Sequence, residues 1–198
     1  MGNEIAETKM RLADPAALGV FGLAMATLVA SSNKLGLTEG TGGLLPWVFF
    51  LGGFAQLFAC FGEYKRDNIF AATAFGAFGL FWLTVGMVWY LPKLGLAADA
   101  GQLGFAFLGY LIFCIYMSYG AAAINKAFLA IFLLVDLLLL MLVLNVFFGV
   151  PGYMAGIAEI LVSAVSFYTA AAVLFKGMAG FEVLPLGKPI LKLRKFEL

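Results

Sequence analysis

Residues 127–149 read Ala127-Phe-Leu-Ala-Ile-Phe-Leu-Leu-Val-Asp136-Leu-Leu-Leu-Leu-Met-Leu-Val-Leu-Asn145-Val-Phe-Phe-Gly149. Only Asp136 and Asn145 interrupt the apolar side chains. As an α-helix the run reaches about 34 Å, enough to cross a hydrocarbon core of about 30 Å. It has no polar face to offer water, as a surface helix of a soluble domain would. It reads as a membrane span, and it makes lipid the solvent of the chain.

Five more such runs lie on either side of it, at 15–32, 44–62, 69–91, 102–124 and 152–175. Between them fall polar or turn-forming breaks: Asn33 to Gly43, Glu63 to Asn68, Pro92 to Gly101, Asn125-Lys126 and Gly149-Val150-Pro151-Gly152. The expected fold is an all-α membrane protein of six transmembrane helices. An N-terminal segment 1–13 precedes the six-helix domain 14–176, and a tail 177–198 follows it. The tail mixes Pro, Gly and basic residues from Phe181 onward and is expected to lie on the inner membrane surface. Asp14-Pro15 reads as a helix N-cap followed by proline at the first helical position. Cleavage of a signal peptide at Ala24-Met25-Ala26 is not expected: the apolar run continues past it, and Glu4, Glu7 and Asp14 crowd the leading segment.

Composition agrees. Of 198 residues, 64% are apolar and 12% charged, against about 45–50% and 25% in soluble domains; mean hydropathy is +1.03. Lys9, Arg11, Lys65, Arg66, Lys126, Lys176, Lys188, Lys192, Arg194 and Lys195 fall on one side, and Lys34 and Lys93 on the other. The positive-inside bias then puts both termini in the cytoplasm of a multi-pass plasma (inner) membrane protein.

Much chemistry is struck out. Histidine is absent, and with it the commonest general base and metal ligand. Cys60 and Cys114 sit in apolar runs, form no C-x-x-C pair, and read as buried reduced thiols. No basic patch with interleaved aromatics points to nucleic acid. A retinal protein needs a lysine deep in a helix, and every lysine lies at a span end or in a loop. A membrane metalloenzyme needs clustered ligands, and a nucleotide-driven pump a phosphate loop; neither is present. No catalytic residue, metal or cofactor is expected. A channel, a secondary transporter or a membrane scaffold remains.

Polar residues inside the spans carry the rest. Gly52, Gln56, Cys60 and Glu63 share a face of span two; Glu159, Ser163, Ser166 and Ala170 share one on span six; Thr73, Ala77 and Thr84 share one on span three. Such stripes either line a narrow path for a small polar solute, with Gln56, Thr73, Ser163 and Ser166 as its lining, or hydrogen-bond the helices together. The many glycines of the spans allow close helix packing or leave room for a pore, and Gly152 and Gly156 form a G-x-x-x-G pair. Asp136, near the middle of span five, costs at least about 2.5–3.5 kcal/mol to insert and must face protein or water. It reads either as a proton relay or as a neutral carboxyl bonded to Tyr116, Ser118 or Tyr119 of span four. Glu159, a second proton or hydrogen-bond candidate, sits nearer the outer end of its span, where water is expected to reach it.

With these residues in place the chain resembles a known family, the acetate uptake transporters, which include the bacterial succinate–acetate permeases and their fungal and archaeal relatives. The family opens span one with Asn-Pro-Ala-Pro-Leu-Gly-Leu, and Asp14-Pro15-Ala16-Ala17-Leu18-Gly19-Val20 matches it with three departures. Glu63-Tyr64-Lys65-Arg66-Asp67-Asn68-Ile69-Phe70, then Thr73, Phe75, Gly79, Phe81, Trp82, Leu83 and Thr84, then Pro92-Lys93-Leu94-Gly95 and Val183-Leu184-Pro185-Leu186-Gly187, continue the match. The resemblance implies uptake of acetate and similar monocarboxylates, sometimes succinate, with protons as co-substrate. It implies ring-shaped homo-hexamers, each protomer having its own path through six helices. By position it puts a hydrophobic constriction at Leu23, Phe78 and Val135, where the family often has Phe, Tyr and Leu. Ser166 falls at a small lining position. Asp14, Glu63 and Asn68 fall at the cytoplasmic mouth, where Asp14 replaces a neutral amide by a carboxylate. Three functions follow: a proton-coupled carboxylate symporter, a passive channel for the same anion, or a sensor or structural protein on the same scaffold.

Overall fold

The computed structural model describes residues 13–192. Lys9, Arg11, Arg194 and Lys195 of the charge count, most of the segment 1–13 and the last six residues of the tail lie outside them. Six membrane-length helices make up the described chain: α1 (Ala16–Lys34), α2 (Leu44–Tyr64), α3 (Ile69–Tyr90, extended by a tight turn Leu91–Leu94), α4 (Ala100–Ala121), α5 (Lys126–Phe148) and α6 (Gly152–Ala179). Among the described residues there is no strand.

Local chemistry fixes the ends. Asn68, Asp99 and Asn125 cap α3, α4 and α5, accepting from the backbone N–H of Ala71 (3.3 Å), Gln102 (2.9 Å) and Phe128 (2.9 Å). α1 begins one residue later than expected: Pro15 precedes the helix, and the Asp14 carboxylate accepts from Ala16 N–H at 3.0 Å. Gly149, at φ +70°, ends α5 in the left-handed conformation that glycine adopts without strain.

The helices close into a ring. α1 runs against α2 on one side and along α6 on the other; α2 packs on α3, α4 on α5, and α5 on α6. The lipid-type inversion of polarity is plain on α2, where Phe50, Phe54, Phe58 and Phe61 face outward while Gln56, Cys60 and Glu63 are buried. The middle of α2, Val48–Ala55, winds as a π-helix and presses the Leu51 carbonyl against α1 at Gly22. A Cβ there would run into that oxygen, so this helix pair depends on a missing side chain.

Gly22→Ala is therefore expected to lose about 1–3 kcal/mol of stability through overpacking against a backbone atom. Gly109→Ala, with nothing within 4 Å of its added methyl, is expected to be neutral or stabilising. Thermal unfolding of the two variants in one mild detergent separates them.

Candidate functional site

A cavity of about 520 Å³ enters the ring from the end where α1 begins and α6 finishes. Its mouth is polar: Asp14, Glu63, Arg66, Asn68, Asn125 and Lys176 line it. Arg66 holds Asp14 at 2.8 Å and stands 3.7 Å from Glu63, and the Asn68 amide donates to the other Glu63 oxygen at 2.9 Å. One short loop between α2 and α3 thus supplies the cation, the amide and, at its edge, a carboxylate. The hydrogen bond to Asp14 pushes the Arg66 pKa upward; burial opposes this, and the charges of Asp14 and Glu63 add to the rise. The guanidinium is a fixed positive charge at the entrance.

Deeper in, the wall turns apolar. Leu23 of α1, Phe78 of α3 and Val135 of α5, each near the middle of its helix and each buried, line the cavity together with Val20, Phe75 and Phe132. Phe78 is wedged among the rings of Phe81, Tyr110, Phe113 and Phe132, with centroids 6.0–6.4 Å away. These contacts hold the ring in place, and the Tyr110 hydroxyl donates to the Ala77 carbonyl at 2.9 Å. Gln56 is the polar exception. It is 1% exposed, lines the cavity, and its amide nitrogen has no hydrogen-bond partner within the described protein. A buried amide left unpaired is costly, so this donor is available to a solute.

Not every residue expected on the path is there. Thr73 lies on the exposed flank of α3, as does Thr84, whose hydroxyl bonds its own helix at Leu80; neither lines the cavity. Ser163 donates to the Ala24 carbonyl at 2.8 Å and joins α6 to α1. Ser166 is fully buried and unpartnered, also away from the cavity wall. Asp136 faces α4: of the three hydroxyls considered for it, Ser118 donates at 2.6 Å. Glu159 corrects the expectation of water at its end of the bundle, being 2% exposed and paired with Lys34 at 2.7 Å.

Arg66, Lys176 and Asn125 also line the mouth; their signals in the sequence are position, Arg66 and Asn125 in breaks between spans and Lys176 just after the last span, and for the two cations the one-sided charge count. The tail was underestimated. Rather than only lying on a surface, it turns back over the mouth: Ala127 N–H donates to Leu186, Ile190 and Leu191 donate to Ala122, and Tyr168 reaches Pro185. Leu186 itself lines the cavity.

The cavity is thus polar and cation-bearing at its mouth and apolar deeper in, inside six membrane-length helices. Over residues 3–188 the sequence matches the model of the GPR1/FUN34/yaaH family. The chain belongs to that family. It is 33% identical over 183 residues to the succinate-acetate/proton symporter SatP of Escherichia coli (strain K12), covering 90% of this chain and 97% of that one. The ammonia transport outward protein 2 of Saccharomyces cerevisiae is 32% identical over 82% of this chain and 61% of its own length. A solved structure described as the bacterial acetate channel SatP superposes with a TM-score of 0.85 at 31% identity, covering 89% of this chain and all of that one. These family relatives are named as transporters and channels, and the chain is a multi-pass membrane protein.

Asn68 both caps α3 and restrains Glu63, so Asn68→Ala is expected to cost about 1–2 kcal/mol. Asn68→Asp keeps the cap but sets two carboxylates together, and is expected to be less stable above the carboxylate range than below it. Thermal melts at two pH values check both.

Proposed function

We propose that the chain carries acetate and similar small monocarboxylates, with succinate as a further substrate, across the plasma membrane. It acts as a transporter and not an enzyme, and needs no cofactor. The single observation that carries this reading is the polarity gradient of the cavity. Arg66, Lys176 and the amides of Asn68 and Asn125 suit a carboxylate at the mouth, and Leu23, Phe78 and Val135 suit a methyl group at the neck. The relatives described as acetate symporter and acetate channel support it.

In this proposal the basic end of the bundle is cytoplasmic, on the positive-inside bias, and both termini are inside. The protomers assemble as a ring-like hexamer through outward faces rich in small residues and in the α2 phenylalanines.

Magnitudes favour co-transport of a proton. A bare ion moved into a medium of dielectric about 4 costs tens of kcal/mol. Protonating an ordinary carboxylate at pH 7 costs only about 4 kcal/mol. A neck of three apolar side chains therefore passes the neutral acid far more easily than a dehydrated anion. The passive channel is the second reading, favoured by the description of the solved relative; it requires the neck to open far enough to stay wet.

Uptake of labelled acetate into proteoliposomes, with and without an inward proton gradient, tests both. Accumulation above equilibrium supports symport, simple equilibration supports the channel, and no uptake refutes the proposal. Phe78→Ala is expected to raise flux and admit longer monocarboxylates, and an unchanged substrate profile would count against the neck. Asp136→Asn is expected to leave transport and its gradient dependence intact, because Asp136 lies off the cavity wall and is tied to Ser118.

A further inference from the structure

At the end of the bundle opposite the cavity, three helices meet in one ion pair. Lys34 is the last residue of α1, and Glu159 lies in the second turn of α6. The ammonium is 2.7 Å from the carboxylate and 5.5 Å from the centroid of the Trp89 ring, which α3 supplies. Gly156, one turn before Glu159, has no side chain to hold the Lys34 stem away; a Cβ there would come within 3.0 Å of it. Glu159 is 2% exposed and Lys34 18%, so the pair meets its surroundings mainly through the lysine.

The groups around Glu159 leave Lys34 as its sole charged partner among the described residues. α5 brings Leu138, Met141 and Leu142 to its side of α6, packed on Ala155 and Ala158, and α3 brings the Trp89 indole. The rest of α1 adds the hydroxyl of Ser31, committed to its own helix.

A carboxylate is thus already bound, by the chain itself, to a partly exposed lysine at the end of the bundle opposite the cavity. That bound group has the chemistry of the transported head group. We propose that the Lys34–Glu159 pair is a second site for the transported carboxylate, at which the arriving acid gives its proton to Glu159 and its carboxylate takes the place of Glu159 on Lys34. The step balances. The O–H bond of the acid breaks, an O–H bond forms on Glu159 Oε2, and the resulting acetate pairs with the ammonium. Net charge at the site is the same before and after. Without the proton, displacement would strand a buried carboxylate with no partner, which is strongly unfavourable; proton and anion must arrive together. The reverse step returns Glu159 to Lys34 and releases the neutral acid. This inference rests on the carboxylate-transport reading above.

The test uses the full chain, purified and reconstituted. Infrared difference spectra on adding acetate at mildly acidic pH are expected to show the carbonyl stretch of a newly protonated carboxyl, absent in Glu159→Gln. Because a lone variant leaves one charge buried, the double variant Lys34→Met/Glu159→Met is the one expected to keep its fold. It should still pass acetate downhill but need about tenfold more acetate for half-saturation, the loss of one charge-assisted contact. A carboxyl band that persists in Glu159→Gln, or a double variant that half-saturates at the wild-type acetate concentration, overturns the role of the pair while leaving transport standing. A wild-type chain that moves no acetate overturns the transport reading, and this inference with it.

Discussion

Hydrocarbon offers a polar atom no partner, and nearly every local feature of this protein answers that constraint. Backbone groups are satisfied by winding all six spans as helices. Side-chain groups are satisfied inside the ring: Ser163 on the Ala24 carbonyl, Ser118 on Asp136, Lys34 on Glu159, Asn68 on Glu63. The same constraint turns the phenylalanines of α2 outward and its Gln56 inward. It is left unmet at four buried atoms among the described residues: Gln56 Nε2, Trp82 Nε1, Asp136 Oδ1 and Ser166 Oγ. Of these four residues only Gln56 lines the cavity.

Close packing then decides which polar groups meet. α1 lies between α2 and α6, and one glycine at each contact lets the helices come near: Gly22 of α1 accepts the π-helical bulge of α2, while the end of α1 sits over Gly156 of α6. Had α1 stood farther off, Ser163 would not reach Ala24, nor Lys34 reach Glu159. The neck depends on the same geometry, because Leu23 enters the cavity from this central helix while Phe78 and Val135 enter from α3 and α5.

Spans and breaks were legible in the sequence because they depend on length and composition, which lipid reads directly. Motif position singles out Asp14, Glu63, Asn68, Leu23, Phe78 and Val135, and these six line one cavity; their roles as mouth and constriction belong to the proposal. What periodicity could not supply was direction. A shared face at 100° per residue says that Thr73 and Thr84 point the same way, not that they point inward. A threonine in lipid can satisfy itself on its own helix, as Thr84 does on Leu80, so its polarity carries no information about which side it faces. Glutamate has no such recourse, which is why Glu159 had to be buried and paired. Its partner lies 125 residues away in the chain, a pairing that no local pattern encodes.

The two buried carboxyls of the spans are not equivalent candidates for moving a proton. Asp136 is held by a neutral serine hydroxyl on the α4 side, away from the cavity, and a proton placed there would have no charged partner to release. Glu159 is held by a cation, so protonating it frees a positive charge at the same moment. In the proposed exchange, this second arrangement couples the arrival of a proton to the binding of an anion. The printed descriptions of the relatives divide between symporter and channel, and the physical difference between those words is whether such a coupling exists. In the reading proposed above, an apolar neck that passes the neutral acid already carries one proton with each carboxylate. The proposed role of Glu159 against Lys34 adds to this a site where protonation of a carboxyl and release of a cation are one event.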